Sequence, residues 1–152
     1  MYIKFSKVRN VKSPSRAFLT DAGVDFFVPD DCESTIIEAR QSLLIGSGIK
    51  IEMPDGFCGI IMNKSSISTK MNLITTAAVV DSRYEGEIRI GLFNFGSISQ
   101  TIEPGMKICQ MLIVPIISPQ LIEESESNLY HKVKSDAQKF RGTGGFGSTG
   151  LK

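Results

Sequence analysis

Turn signals interrupt this chain before any apolar run can lengthen, and that restricts it to short strands. Pro29-Asp30-Asp31 stops an apolar run at residues 25–28, and Pro54-Asp55-Gly56 ends another at 48–53. Proline presets a reversal, and aspartate and glycine complete it at little steric cost. Loose alternation predicts a strand over 2–8, and further strands are expected at 34–39 and 57–62. Residues 86–95 alternate cleanly, with Ile88, Ile90 and Leu92 on one side and Glu87 and Arg89 on the other. That is the period of a half-buried strand. Residues 107–117 are largely apolar and β-branched, which suits a strand covered on both faces. Helical periodicity is confined to a turn or two after Lys64, where Ser65 and Ser66 are available as caps. The expected fold is all-β, a sandwich, jelly roll or barrel, with at most one short helix.

Composition narrows the function classes. With 41% hydrophobic and 22% charged residues the 152-residue chain reads as one ordinary globular domain with a real core. A net charge of +1 gives no electrostatic reason to expect duplex nucleic acid or an anionic membrane as partner. Cys32, Cys58 and Cys109 are odd in number and widely spaced, and His131 is the single histidine. That pattern argues against a disulfide framework and against zinc. Reduced thiols and the lack of an apolar signal core lead to the expectation of an intracellular protein, cytoplasmic or nuclear. The sequon Asn63-Lys64-Ser65 is then accidental. After Ile122 the chain turns polar and then glycine-rich, which divides it into a β domain over 1–122 and a C-terminal arm over 123–152, expected to be flexible until something binds.

The arm carries the first chemical signal. Residues 141–150 (RGTGGFGSTG) hold five glycines, which lets successive backbone N–H groups turn inward and form a concavity for phosphate oxygens. Arg141, Ser148 and Thr149 add a charge and two hydroxyls. Phe146 has no place in a solvated linker, but it could stack on a nucleobase. A flexible tail is the bland alternative for any glycine-rich stretch. The spacing is not that of a P-loop. Asp81, between an apolar run and the turn Ser82-Arg83-Tyr84-Glu85-Gly86, reads equally as a turn-capping carboxylate or as a general base.

The arm resembles the C-terminal signature of the trimeric dUTPase family, and four more segments resemble that family's other motifs in the right order. They are Ala22-Gly23-Val24-Asp25-Phe26, Lys64-Ser65-Ser66, the stretch from Ala78 to Glu87, and Gly105-Met106-Lys107-Ile108-Cys109-Gln110. Together they run from Ala22 to Gly150. The resemblance implies a distorted jelly roll, a homotrimer whose arm reaches a neighbouring subunit's site, and hydrolysis of dUTP to dUMP and pyrophosphate. It implies Asp81 as the residue that activates water. Tyr84 would lie under the deoxyribose and leave no room for a 2′-hydroxyl. Residues 74–78 and the following strand, including Ala78, Val79, Glu87 and Ile88, would form the hairpin that reads uracil through backbone groups. Lys64, Ser65, Ser66, Lys107, Gln110 and Arg141 would serve the phosphates, with Gly145, Phe146, Gly147 and Ser148 closing over the nucleotide. Asp25 would hold water ligands of a Mg²⁺ ion, which typically keeps several waters and leans on substrate phosphates.

The sequence departs from the family pattern in three places. Lys64 stands where arginine is usual, so a point charge replaces a bidentate fork. Met106-Lys107 replaces a typical Asp-Arg pair, and Ala78 stands where glycine is common. None removes the aspartate, the tyrosine or the clamp. A dCTP deaminase shares the jelly roll, but would need a carboxylate placed to activate water at C4 of the base. A nucleotide-switched regulator of a protein partner is the rival from another class, and viral and phage members of the family keep it in view.

Overall fold

The computed structural model describes residues 2–129. Eleven short strands dominate them: β1 Lys4–Lys7, β2 Val24–Phe27, β3 Thr35–Ile37, β4 Ser42–Gly46, β5 Ile49–Glu52, β6 Phe57–Asn63, β7 Leu73–Thr75, β8 Val79–Val80, β9 Arg89–Asn94, β10 Gln100–Ile102 and β11 Lys107–Pro115. Two helices accompany them, α1 Ser65–Lys70 and α2 Glu126–Leu129. The fold is all-β, as the turn spacing predicts. The helix count exceeds the expected single helix by the one turn of α2, where the Asn128 amide donates to the Ser125 carbonyl and Glu126 sits in the first turn. A second expectation needs correcting at α1. Lys64, in extended conformation, is its N-cap and makes no side-chain cap bond, whereas Ser65 and Ser66 lie inside the helix.

Every strand pair is antiparallel, in sheets ordered β2-β11-β6-β8, β4-β9-β7, β1-β5 and β10-β3. Strand β9 behaves as its alternation foretells: Ile88, Ile90 and Leu92 are buried and Arg89 is exposed. Strand β11 is covered on both faces only where Ile108 and Cys109 are buried in succession; Leu112 to Val114 are half-buried. The core joins these residues to Phe26, Val28, Ile37, Ile49, Leu73, Ile102 and Met111. Each such side chain, taken fully out of water, contributes roughly 1.5–3 kcal/mol. All three cysteines are free thiols. Burial pushes the Cys109 thiol up to about 12, with the Asp25 carboxylate adding to the rise.

The chain divides into two units, Met1–Ser118 and Pro119–Lys152. The first carries all eleven strands and α1; the described part of the second carries α2.

Candidate active site

Sheet order brings three of the sequence motifs side by side. Asp25 on β2 lies opposite Gln110 on β11, and β11 pairs in turn with β6, whose last residue is followed by Lys64. The Asp25 side chain is only 7% exposed and takes one ammonium on each oxygen: Lys64 Nζ at 2.5 Å from Oδ1 and Lys107 Nζ at 2.9 Å from Oδ2. Burial by itself would raise the Asp25 pKa. The hydrogen bonds from Lys64 and then Lys107, with their charges, outweigh it and hold the carboxyl below the usual aspartate range. The two ammoniums share one carboxylate, so the cluster keeps an excess of one positive charge. Lys107 also lies 5.7 Å from the centroid of the Phe27 ring, and Lys12 lies 5.8 Å from the same centroid. Lys12 belongs to none of the five motifs and was not legible as a member of this basic group.

Gln110 is used structurally. Its amide donates to the Asn63 carbonyl at 2.9 Å, and its side chain presses on Gly23 so closely that a Cβ there would meet Oε1 at 2.0 Å. Asn63 Oδ1 in turn accepts from the Thr75 amide at 2.7 Å and the Thr75 hydroxyl at 3.0 Å, which ties the end of β6 to β7. Ser65 and Ser66 are exposed, at the head of α1.

A second group lies in the connection from β8 to β9. Strand β8 adds to β6 through Val79 and Val80, and the Ala78 carbonyl accepts from the Ile61 amide. Ala78 and Val79 present exposed side chains. Asp81 follows at the surface, and its carbonyl accepts from the Tyr84 amide to close a turn. Among the described residues no hydrogen bond or ion pair engages the Asp81 carboxylate. Tyr84 is 45% exposed; its hydroxyl donates to the Glu87 carbonyl at 2.9 Å and passes over Gly86, where a Cβ would stand 2.3 Å from the hydroxyl. A surface depression of about 480 Å³ separates this turn from β1 and β5.

The family model described as dUTPase matches residues 9–150. The chain belongs to the dUTPase family. It is 36% identical over 141 residues to the deoxyuridine 5′-triphosphate nucleotidohydrolase of Clostridium acetobutylicum, covering 91% of this chain and 89% of the relative. It is 36% identical over 153 residues to that of Alkaliphilus metalliredigens, covering 99% and 98%. Among solved structures it resembles the dUTPase of Staphylococcus bacteriophage 80alpha with dUPNHPP, with a TM-score of 0.82, 25% identity and 99% of each chain covered.

Within this dUTPase-family chain the motif residues fall into two groups. Asp25, Lys64, Lys107 and Gln110 gather at one end of the β2-β11-β6 sheet, while Asp81, Tyr84 and Glu87 occupy the β8–β9 connection; among the described residues no direct hydrogen bond or ion pair joins them. Two of the expected nucleotide contacts serve the fold. Ile88 is 1% exposed, with its amide bonded to Ile49 and its carbonyl to Ser47. The Glu87 carboxylate accepts from the Gly48 amide at 2.6 Å. Arg141, Gly145, Phe146, Gly147 and Ser148 lie outside the described residues.

Proposed function

We propose that this chain hydrolyses dUTP to dUMP and pyrophosphate by in-line attack of water on the α-phosphorus, with Asp81 as general base. Family membership supports the reaction. The observation that carries the mechanism is a surface carboxylate unclaimed by any hydrogen bond or ion pair among the described residues, three residues before a tyrosine whose hydroxyl is anchored. A general base must stay free to meet a water, whereas a turn-capping aspartate spends its carboxylate on nearby amides. The Tyr84 ring supports the deoxyribose, and the apolar rim at Ala78 and Val79 disfavours the thymine methyl and the cytosine amino group.

The Lys64–Asp25–Lys107 cluster receives the phosphates with its surplus positive charge. Among the described residues no group of three or more His, Cys, Asp or Glu side chains could cage a metal ion. A phosphate-borne Mg²⁺ needs only an outer acceptor for its waters, and Asp25, with lone pairs left over from its two ammoniums, fits that limited role. A dUTPase variant of phage phi11 is described with a structural Mg(II) ion. When bound here with the nucleotide, Mg²⁺ would neutralise charge on the phosphate oxygens. This chain's residues orient the phosphates through Lys64 and Lys107 and take the proton of water at Asp81. The arm, with Arg141, Gly145, Phe146, Gly147 and Ser148, closes over uracil and the terminal phosphate. Family membership supports a homotrimer in which a neighbour completes each site. The activity would limit uracil in DNA and supply dUMP for dTMP synthesis, inside the cell where both are used.

The test is pyrophosphate release from dUTP, dCTP, dTTP and UTP, with Mg²⁺ or a chelator, from the intact chain and Asp81→Asn. Magnesium-stimulated release confined to dUTP and lost in the variant supports the whole reading; release from dUTP that survives the substitution removes Asp81 as the base. A second reading rests on the 80alpha relative, one of the phage dUTPases described as controlling transfer of virulence genes. Recovery of a stoichiometric, dUTP-sensitive protein partner would favour that regulatory role for this chain too.

A further inference from the structure

Glu87 ties the Tyr84 turn to a distant part of the chain. Its carboxylate accepts from the Gly48 amide at 2.6 Å, across 39 positions of sequence, while its own carbonyl accepts the Tyr84 hydroxyl at 2.9 Å. The receiving turn is Gly46-Ser47-Gly48, between β4 and β5, and it is shaped for this contact. A Cβ on Gly46 would stand 2.6–2.9 Å from the three carboxyl atoms of Glu87, so only glycine leaves them room. Gly48 has φ +71°, a left-handed conformation that glycine adopts without strain and that aims its amide at the carboxylate. Two more bonds fasten the same junction: the Ser47 amide donates to the Ile88 carbonyl at 3.0 Å, and the Ile88 amide to the Ile49 carbonyl at 2.9 Å.

The consequence reaches the sugar-binding ring. Tyr84 is 45% exposed and passes over Gly86, so packing alone leaves it free to swing outward; its hydroxyl bond to Glu87 is the one side-chain hydrogen bond that holds it among the described residues. A ring that excludes a 2′-hydroxyl must not yield when one is presented, because discrimination against an added hydroxyl is steric and small displacements erode it. We propose that Glu87 is a positioning residue for Tyr84: its carboxylate, gripped by the Gly46-Ser47-Gly48 turn, fixes the carbonyl on which the Tyr84 hydroxyl rests, and thereby sets discrimination between deoxyribo- and ribonucleotide. The proposal rests on the dUTP-hydrolase reading of Tyr84 and assigns the Glu87 side chain to the fold instead of to the substrate.

The experiment compares kcat/KM for dUTP and UTP in the intact chain, Glu87→Ala, Glu87→Gln, Tyr84→Phe and the Glu87→Ala/Tyr84→Phe double variant, with thermal unfolding of each. Glu87→Ala and Tyr84→Phe should each lower the dUTP:UTP ratio by about five- to tenfold, the scale of one net hydrogen bond. The double variant should lose no more than the worse single one, since both cut one chain of contacts. Glutamine keeps an acceptor oxygen for the Gly48 amide and should restore the ratio to within about twofold of wild type. If Glu87→Ala keeps the wild-type ratio, or Glu87→Gln loses it as fully as alanine does, the proposal is overturned. Should Glu87→Ala fail to fold, Tyr84→Phe decides alone: a full wild-type ratio without the hydroxyl overturns it. A wild-type protein that hydrolyses dUTP and UTP equally well would instead overturn the assignment of Tyr84 to the sugar, and this proposal with it.

Discussion

Asparagine at position 25 would keep the shape of the side chain and remove the charge that two ammonium groups share. Lys64 and Lys107 each place Nζ on a separate oxygen of Asp25, and the carboxylate itself is 7% exposed. Hydrogen bonds to charged groups contribute roughly 1.5–3 kcal/mol apiece. The full sum does not apply, because the Lys64 and Lys107 side chains are 22% and 44% exposed and regain water when released. Halving the sum leaves about 2 kcal/mol, less than the roughly 3–5 kcal/mol that breaking a fully buried pair costs, with the asparagine NH₂ then facing a cation. Urea unfolding at pH 7 and fixed protein concentration measures it, the concentration mattering because assembly contributes to apparent stability. Lys107→Met should cost less than Asp25→Asn, since its ammonium is the more exposed of the two.

The sign of the pH dependence is fixed by the direction of the Asp25 shift. Its folded pKa lies below its unfolded value, so the folded state resists protonation. The stabilisation is therefore fully present above the unfolded value of about 3.9 and is lost as pH falls through the folded pKa. Wild type should exceed Asp25→Asn by a constant margin from pH 7 to about pH 5, and the two curves should converge below about pH 4. A margin under about 0.5 kcal/mol at pH 7, or one that widens in acid, would refute the two-lysine account.

Asp81→Asn should retain affinity for a non-hydrolysable dUTP analogue within about threefold by calorimetry while turnover falls by 10³ or more, roughly the scale of lost general-base catalysis. Asn94 is fully buried, donates to the Ile37 and Ile98 carbonyls and accepts from the Gly96 amide, so Asn94→Ala should cost about 2–3 kcal/mol in the same urea assay. The Cys109 thiol, buried and pushed up to about 12, should resist a thiol reagent at pH 8 in the native protein and react on unfolding.

What was legible in the sequence follows from the range of the interaction that carries it. Alternation and turn chemistry are local, so β9 and the ends of β2 and β5 could be read directly from Ile88-Arg89-Ile90, Pro29 and Pro54. Strand β4 escapes a sequence reading because Leu43, Leu44 and Ile45 are all apolar, which masks the alternation in their burial: Leu43 is half-buried, Leu44 exposed and Ile45 buried. Strand β10 has only three residues, too few for a period to show. The five motifs name candidate site residues but not their partners. Asp25 meets Lys64, and Gly48 meets Glu87, across 39 positions in each case. Nothing in either local sequence signals those contacts, because sheet order creates them.

Sheet register also explains why Lys107 reaches Asp25 at all. Cys109 and Met111 point into the core, and strict alternation along β11 would send Lys107 after them. The pairing of β11 with β2 shifts between Lys107 and Cys109: Cys109 lies opposite Phe26, yet Lys107 lies opposite Phe27. One extra residue at this bulge buries Ile108 beside Cys109 and turns Lys107 out to the face that Asp25 and Phe27 share. Burial pins the register on either side, since sliding β11 by one position would exchange Met111 for Gln110 in the core. The second ammonium on Asp25 is therefore a product of the bulge. An arginine or lysine at position 107 can serve the site only while Ile108 supplies the extra residue that turns it outward.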